Sequence, residues 1–220
     1  MSQPVSYRVV GNVGVITIDN PPHNAFSHAV RKGLHDTMSD AIADATGIVL
    51  IVCAGRTFVA GADISEFGKP PADPWLPEVL DNIENSPKPV VTAVHGTALG
   101  GGFELVLASH YRCAIATAKV GLPEVHLGLL PGAGGTQRVP RLAGVQAALE
   151  LMTSGRPISA GKARAVGLLD EVFDDDLESN ALAWCEKLLA EGKAPVKVSE
   201  MTVPAPAAGL FDAGLLYTSP

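Results

Sequence analysis

Apolar residues along the chain fall into short β-branched runs and into stretches with helical spacing. The runs at 13–18, 48–53 and 90–94 are rich in valine and isoleucine, and they predict strands. The run at 48–53 has no polar position, which is typical of a strand buried on both faces. Between the first two runs, apolar side chains recur at every fourth position, as on one face of a helix: Val30, Leu34, Met38 and Ile42.

Predicted strands and helices continue to alternate along the chain as far as residue 189. Two further strands are predicted, at 112–118 and 172–173. Helices are predicted at 79–84, 103–110, 145–152, 159–166 and 177–189, and a glycine-rich turn leading into a helix at 132–142. Alternating strands and helices favour an α/β fold over an all-α or an all-β one.

Composition narrows the class of protein. The 220 residues predict one domain with a small appendage, and the formal net charge of −7 argues against a dedicated nucleic-acid-binding protein. Three widely spaced cysteines fit a reducing compartment, so we expect a cytoplasmic protein. The start of the chain has no secretory pattern, and the longest nearly apolar stretch, 90–103, contains four glycines and a histidine. We therefore expect no membrane partner.

Several common catalytic motifs are absent from the sequence. It has no G-x-S-x-G, no H-E-x-x-H and no G-x-G-x-x-G, which argues against a nucleophile-elbow hydrolase, a zinc protease and a dinucleotide-dependent dehydrogenase. The six histidines lack the spacing of a zinc site, so we expect no metal.

Two segments contain candidate chemistry. Residues 96–105 place glycines after a buried strand and before a helix, where free backbone amides suit an oxyanion, and Glu104 lies on the same helix face as Gly101. An alternative is that Glu104 only complements the helix dipole. In the second segment, apolar residues after Glu124 predict a raised pKa suited to proton transfer, although Pro123 and Glu124 are also typical of an ordinary helix start.

The residues alone do not decide the roles of two smaller features. The glycine-rich stretch 132–136 is compatible with an anion site and equally with a turn before a helix. Asp63, which follows a glycine, is compatible with a ligand loop and with a simple helix cap.

Taken together, these segments resemble the enoyl-CoA hydratase/isomerase (crotonase) family. The resemblance covers roughly residues 5–189 and is most like the N-terminal hydratase module of multifunctional fatty-acid β-oxidation enzymes. Four segments occur in the family's order and spacing: FVAGADI at 58–64, VHGTALGGGFEL at 94–105, LPEVHLGLLPGAGGTQR at 122–138, and the stretch 160–172. The implied fold is a crotonase-like ββα spiral with a C-terminal helical region that is apparently shortened here.

The resemblance also implies roles for individual residues. The backbone amides of Ala62 and Gly101 match the two oxyanion-hole donors that hold the thioester oxygen. Glu104 and Glu124 match the paired carboxylates, the first orienting or deprotonating the water that attacks C3 and the second delivering a proton to C2. The implied coenzyme A contacts are Ala60, Ala62, Asp63, Ile64, Ser65 and Gly101, with Ser65 replacing the lysine common at its position.

The function expected from this resemblance is hydration of 2-enoyl-CoA in fatty-acid β-oxidation, with Δ3-Δ2 isomerisation as a possible second activity. Alternatives are other CoA-thioester chemistry of the family, such as hydrolysis or decarboxylation, and a non-catalytic acyl-CoA-binding protein. We expect an acyl-CoA thioester as the ligand, no separate cofactor, no nucleic acid, and a homotrimer or hexamer. Residues 1–190 would form the catalytic domain and residues 191–220 a tail or truncated helical region.

Overall fold

The computed structural model describes residues 3–66, 68, 70 and 72–206, which contain nine strands and six α-helices. Residues 207–220 of the predicted tail lie outside the described residues. The strands are β1 Val5–Val10, β2 Val13–Ile18, β3 Ile48–Cys53, β4 Val90–Val94, β5 Thr97–Leu99, β6 Tyr111–Ile115, β7 Lys119–Gly121, β8 Ile158–Ser159 and β9 Glu171–Phe173. The helices are α1 His28–Ala43, α2 Leu76–Glu84, α3 Gly101–Ala108, α4 Gly135–Ser154, α5 Ala160–Ala165 and α6 Leu177–Ala190.

The strands form two sheets, and the chain passes repeatedly from one to the other. The large sheet has the order β1-β2-β3-β4-β6-β9, and all of its neighbours are parallel except the β1–β2 hairpin. The small sheet has the order β5-β7-β8. Strands β4 and β6 each lead within a few residues into a strand of the small sheet, and helix α3 lies between the two pairs. This is a repeated strand–strand–helix turn, so the predicted α/β class is confirmed.

Strand β3 lies between two hydrophobic cores, which explains its uninterrupted apolar sequence. Val49 and Ile51 pack into the core that contains helices α1 to α5. Ile48, Leu50 and Val52 point to the opposite face and pack with α6. Because successive side chains of a strand face opposite ways, a strand between two cores needs apolar residues at every position.

Strands β1, β5, β7 and β8 were not predicted, whereas the other elements largely match the structure, and two regions are informative. The single strand predicted at 112–118 is wrong, because a turn, closed by a bond from the Ala118 amide to the Ile115 carbonyl, moves the chain from β6 to the small sheet as β7. The two helices predicted on either side of residue 144 are both present, and α4 joins them end to end across a kink. Gly144 has φ 80° and ψ 167°, so the helical path breaks there as the pattern predicted.

Helix α3 begins in close contact with the segment that precedes the Ile64–Glu66 3-10 turn. Val59 and Ala98 form an isolated parallel bridge, and the Leu99 amide donates to the Val59 carbonyl over 3.0 Å. A Cβ atom on Gly102 would lie 2.3 Å from that same carbonyl oxygen. Residue 102 therefore has to be glycine for the helix to approach so closely.

This contact predicts that Gly102→Ala lowers the free energy of unfolding by about 2 kcal/mol, because the added methyl group forces the helix away from Val59. Gly161→Ala is the matched control. Gly161 is also a helical glycine, its Cβ would meet no heavy atom within 4 Å, and alanine should leave stability unchanged or raise it by up to about 1 kcal/mol. Urea unfolding followed by circular dichroism measures both, and equal stabilities for the two variants would contradict the prediction.

Candidate active site

A cavity of about 580 Å³ opens between the start of α2, the start of α3 and the two loops that flank them. Its walls are mostly apolar, and five ionisable side chains reach it from four separate parts of the chain: Arg31, Asp63, Glu66, Glu104 and Glu124. An apolar cavity with a few convergent polar groups is the usual form of a ligand site.

Two backbone amides reach the cavity side by side. The parallel bridge between Val59 and Ala98 sets the register of the two segments, so the residues three positions further on, Ala62 and Gly101, arrive together. Both line the cavity, and neither amide donates a hydrogen bond to another group in the described part of the chain. Two unpaired amides at one wall, one of them at the first turn of a helix, suit an oxygen that gains negative charge.

Glu104 lies in the first turn of α3, and its carboxylate is held by the glycine-rich stretch before α4. Its Oε1 accepts hydrogen bonds from the amides of Ala133 and Gly135, each 2.8 Å long. Gly134 between them has φ 102°, which aims the two flanking amides at one oxygen. The anion bound by residues 132–136, left open by the sequence, is thus the protein's own carboxylate, and Glu104 does more than complement the helix dipole.

Burial raises the pKa of Glu104, and the amides of Gly135 and Ala133 together with the charge of Arg138 offset part of that rise. Glu104 is only 2% exposed. A carboxylate in this setting is protonated more easily than one in water, while two strong donors still favour its ionised form.

Glu124 begins the 3-10 turn Glu124–Leu127, directly after Pro123. Its Oε1 lies 3.1 Å from the position that a Cβ on Gly100 would take, so the side chain faces the start of α3. Its Oε2 is buried and has no hydrogen-bond partner among the described residues. Burial raises the pKa of Glu124, its own amide opposes the rise, and the negative charge of Glu104 raises the pKa further.

The predicted coenzyme A loop borders the same cavity. Ala60, Ala62 and Asp63 line it. The Asp63 carboxylate also accepts the Ser65 amide over 2.9 Å, so it caps the 3-10 turn Ile64–Glu66 as the alternative interpretation had it. Ile64 and Ser65 are the first two residues of that turn, and Ser65 is exposed. The structure therefore brings the predicted residues to one region, and their roles stay predictions.

Sequence reasoning missed the residues that support Glu104. Arg138 belongs to the 122–138 motif but was given no role, and its partner Glu84 lies in α2, far away in sequence. Both side chains are buried. No local signal marks a charged residue as buried, because the partner that makes its burial tolerable comes from another element.

The described residues contain no cluster of three or more histidine, cysteine, aspartate or glutamate side chains able to hold a metal ion. No helix within them has the length and apolar character needed to cross a bilayer.

Comparisons of sequence and of structure with known proteins both find enoyl-CoA hydratases. The sequence profile described as enoyl-CoA hydratase/isomerase matches residues 8–208. A peroxisomal bifunctional enzyme of Danio rerio is 46% identical over 209 residues, which cover 93% of this chain and 29% of that protein. A probable enoyl-CoA hydratase of Bacillus subtilis is 44% identical over 183 residues, covering 79% of this chain and 70% of that one.

Among solved structures, an enoyl-CoA hydratase from Bacillus anthracis superimposes with a TM-score of 0.80 at 35% identity, covering 86% of this chain and 77% of that one. The predicted crotonase-like fold is thereby confirmed. The chain spans less than a third of the length of the bifunctional relative.

The electrostatic contact between the two carboxyl groups can be tested without any ligand. Because the negative charge of Glu104 raises the pKa of Glu124, Glu104→Gln should lower that pKa. Carbon-13 NMR of the glutamate carboxyl carbons, titrated against pH, measures the shift. Glu78→Gln, which replaces an exposed glutamate in the first turn of α2, should leave the pKa of Glu124 unchanged. An unchanged Glu124 pKa in Glu104→Gln would show that the two groups do not interact.

Proposed function

The chain belongs to the enoyl-CoA hydratase/isomerase family, and from this premise we propose that it is an enoyl-CoA hydratase. It would add water across the 2,3 double bond of a 2-enoyl-CoA thioester, a step of fatty-acid β-oxidation. The observation that supports this most directly is the convergence of two carboxyl groups and two unpaired amides on one cavity.

The amides of Ala62 and Gly101 are suited to activate the thioester. When a nucleophile adds at C3, the electron pair of the double bond moves toward the thioester oxygen and forms an enolate. Donors already aimed at that oxygen stabilise the enolate without reorganising, and one such donor is typically worth about 3–4 kcal/mol of barrier. Both donors are backbone groups held by the Val59–Ala98 bridge, so their positions are fixed before substrate binds.

The surroundings of the two glutamates support different roles for them. Glu104 is fixed through one oxygen by two amides, which suits a carboxylate that orients water and takes its proton. Glu124 has a raised pKa and an oxygen that no described residue hydrogen-bonds, which suits a carboxylic acid that gives its proton to C2. The water oxygen bonds to C3, its proton passes to Glu104, and the proton of Glu124 passes to C2. A proton returned from Glu104 to Glu124 restores the starting state.

The cavity walls support an acyl thioester as the ligand. Leucines at 127, 129 and 130 and Trp75 line it alongside the two glutamates. These side chains offer apolar contact to an acyl chain, which burial would favour. Coenzyme A is part of the substrate, so the proposed reaction needs no separate cofactor. The homotrimer or hexamer stays a prediction.

Glu104→Gln and Glu124→Gln should each lower kcat for hydration of crotonyl-CoA by about 100- to 10,000-fold, because each removes one proton-transfer group. The loss of the conjugated thioester absorbance follows the reaction. Glu78→Gln, which changes an exposed carboxyl outside the cavity, is the control and should keep wild-type rates. Undiminished hydration by either cavity variant would refute the assigned roles, and an inactive wild-type protein that still binds the thioester would favour a non-catalytic acyl-CoA-binding protein.

Isomerisation of 3-enoyl-CoA is a second candidate activity, favoured by the unpartnered oxygen of Glu124. A single carboxyl group that takes a proton from C2 and returns it at C4 moves the double bond without water. Glu104→Gln should then lose hydration and keep isomerisation, whereas Glu124→Gln should lose both. Chromatographic analysis of products from 2-enoyl and 3-enoyl substrates separates the activities. Parallel loss of both activities in Glu104→Gln would contradict a one-carboxyl isomerase.

A further inference from the structure

Arg138 lies behind the loop that holds Glu104 and is bonded to it. Its Nη1 donates to the Ala133 carbonyl over 2.8 Å, and the amide of the same residue donates to Glu104. The guanidinium does not line the cavity. Arg138 therefore acts on the Glu104 carboxylate through the backbone of Ala133 and from outside the cavity.

A carboxylate of helix α2 fixes the other side of this guanidinium. Nη2 and Nε of Arg138 donate to Glu84 Oε2 over 2.7 and 3.2 Å. The second oxygen of Glu84 accepts the Ser199 amide over 2.8 Å. Burial acts to raise the pKa of Glu84, but the bonds from Arg138 and Ser199 outweigh it and lower the pKa. The pair is thus a buried ion pair, in which the planar guanidinium directs both bonds from Arg138 to Glu84.

We propose that Arg138 is a positioning residue for Glu104: bridging Glu84 and the Ala133 carbonyl, it holds the Ala133 and Gly135 amides on the carboxylate and so sets its orientation and basicity. This inference rests on the proposed function for its effect on catalysis. Its effect on the carboxylate itself does not depend on that function.

A second buried arginine shows what a purely structural ion pair looks like in this chain. Arg112 is 3% exposed and Arg138 5%. Arg112 donates to Asp170 and to the Ser109 carbonyl, over 3.0 Å in each case. Its bonds reach neither glutamate, and neither Arg112 nor Asp170 lines the cavity. Removing either pair should cost stability, but only the Arg138 pair should affect Glu104.

The direction of the effect on Glu104 follows from the charges around it. These are Glu124 from the 3-10 turn, Arg138 from α4, and behind Arg138 the carboxylates Glu84 and Asp81 of α2. Arg138 lowers the pKa of Glu104 by its charge and holds two amides that lower it further. Without Arg138 that pKa should rise, and the acidic limb of the kcat/KM profile, where Glu104 must be ionised, should move to higher pH.

The test compares the double variants Glu84→Gln/Arg138→Met and Asp170→Asn/Arg112→Met. Each removes both charges of one pair, so no charge is left buried alone, and the amide at residue 84 can still accept Ser199. Arg138→Lys is added because lysine keeps the charge but not the planar set of donors. The readouts are thermal unfolding, kcat and KM on crotonyl-CoA over pH, and the Glu104 pKa from carbon-13 NMR.

We expect the Arg138 double variant to remain folded, to lose about 10- to 100-fold in kcat with a smaller change in KM, and to show a raised Glu104 pKa. The Arg112 double variant should stay within about twofold of wild-type kcat with an unchanged Glu104 pKa. Compared with the Arg138 double variant, Arg138→Lys should restore most of the wild-type Glu104 pKa but only part of the wild-type kcat.

An unchanged Glu104 pKa and kcat in the Arg138 double variant would overturn the proposal. Equal kcat losses in the two double variants would do the same, as would full recovery of kcat by lysine. If the wild-type protein fails to hydrate crotonyl-CoA, the proposed function falls, while the Glu104 pKa in the variants still decides the role of Arg138.

Discussion

The contact between residue 102 and the carbonyl of Val59 determines the geometry of the whole site. Helix α3 can begin there only because glycine has no side chain to meet that oxygen. The bridge between Val59 and Ala98 fixes the register of the two segments, which brings the amide of Gly101 beside that of Ala62. Glu104 lies in the first turn of this helix, so the same packing positions two cavity-lining amides and one carboxylate together.

The electrostatics of the site are asymmetric, because the two glutamates differ in how their charge is compensated. Burial disfavours the charge of both. The protein compensates Glu104 with two amides and a nearby guanidinium, whereas one oxygen of Glu124 has no hydrogen-bond partner in the part of the chain that the structure describes. A half-buried carboxyl group whose pKa stays raised lowers stability at neutral pH, where its ionised form is penalised, and that cost is typical of residues retained for function.

The sequence was most informative where local pattern and tertiary environment agree. Strands β2, β3 and β4 were predictable because buried parallel strands are continuous apolar runs, and the break in α4 was predictable from Gly144. Strands β5 and β7 were missed because three residues are too few for a period. Free amides after β4 were foreseen from the glycines, since helix starts leave donors unpaired.

The arrangement of the site could not be predicted from local pattern, because it depends on contacts between distant segments. The family resemblance indicated that Glu104 and Glu124 act together, whereas periodicity could not place them in one cavity. The glycine-rich stretch binds the side chain of Glu104, about 30 residues earlier in the chain. The buried charge of Arg138 is balanced by Glu84, which lies in another helix. Such pairings follow from the two-sheet topology, which no short stretch of the sequence determines.

The proposed oxyanion donors are main-chain groups, and this has a consequence for how the protein can change over evolutionary time. Almost any substitution at Ala62 leaves its amide hydrogen in place, and proline alone would delete it. The two carboxyl groups, by contrast, are each removed by one codon change. Divergent descendants can therefore exchange the two carboxyl side chains and acquire new reactions while the pair of main-chain donors is inherited intact.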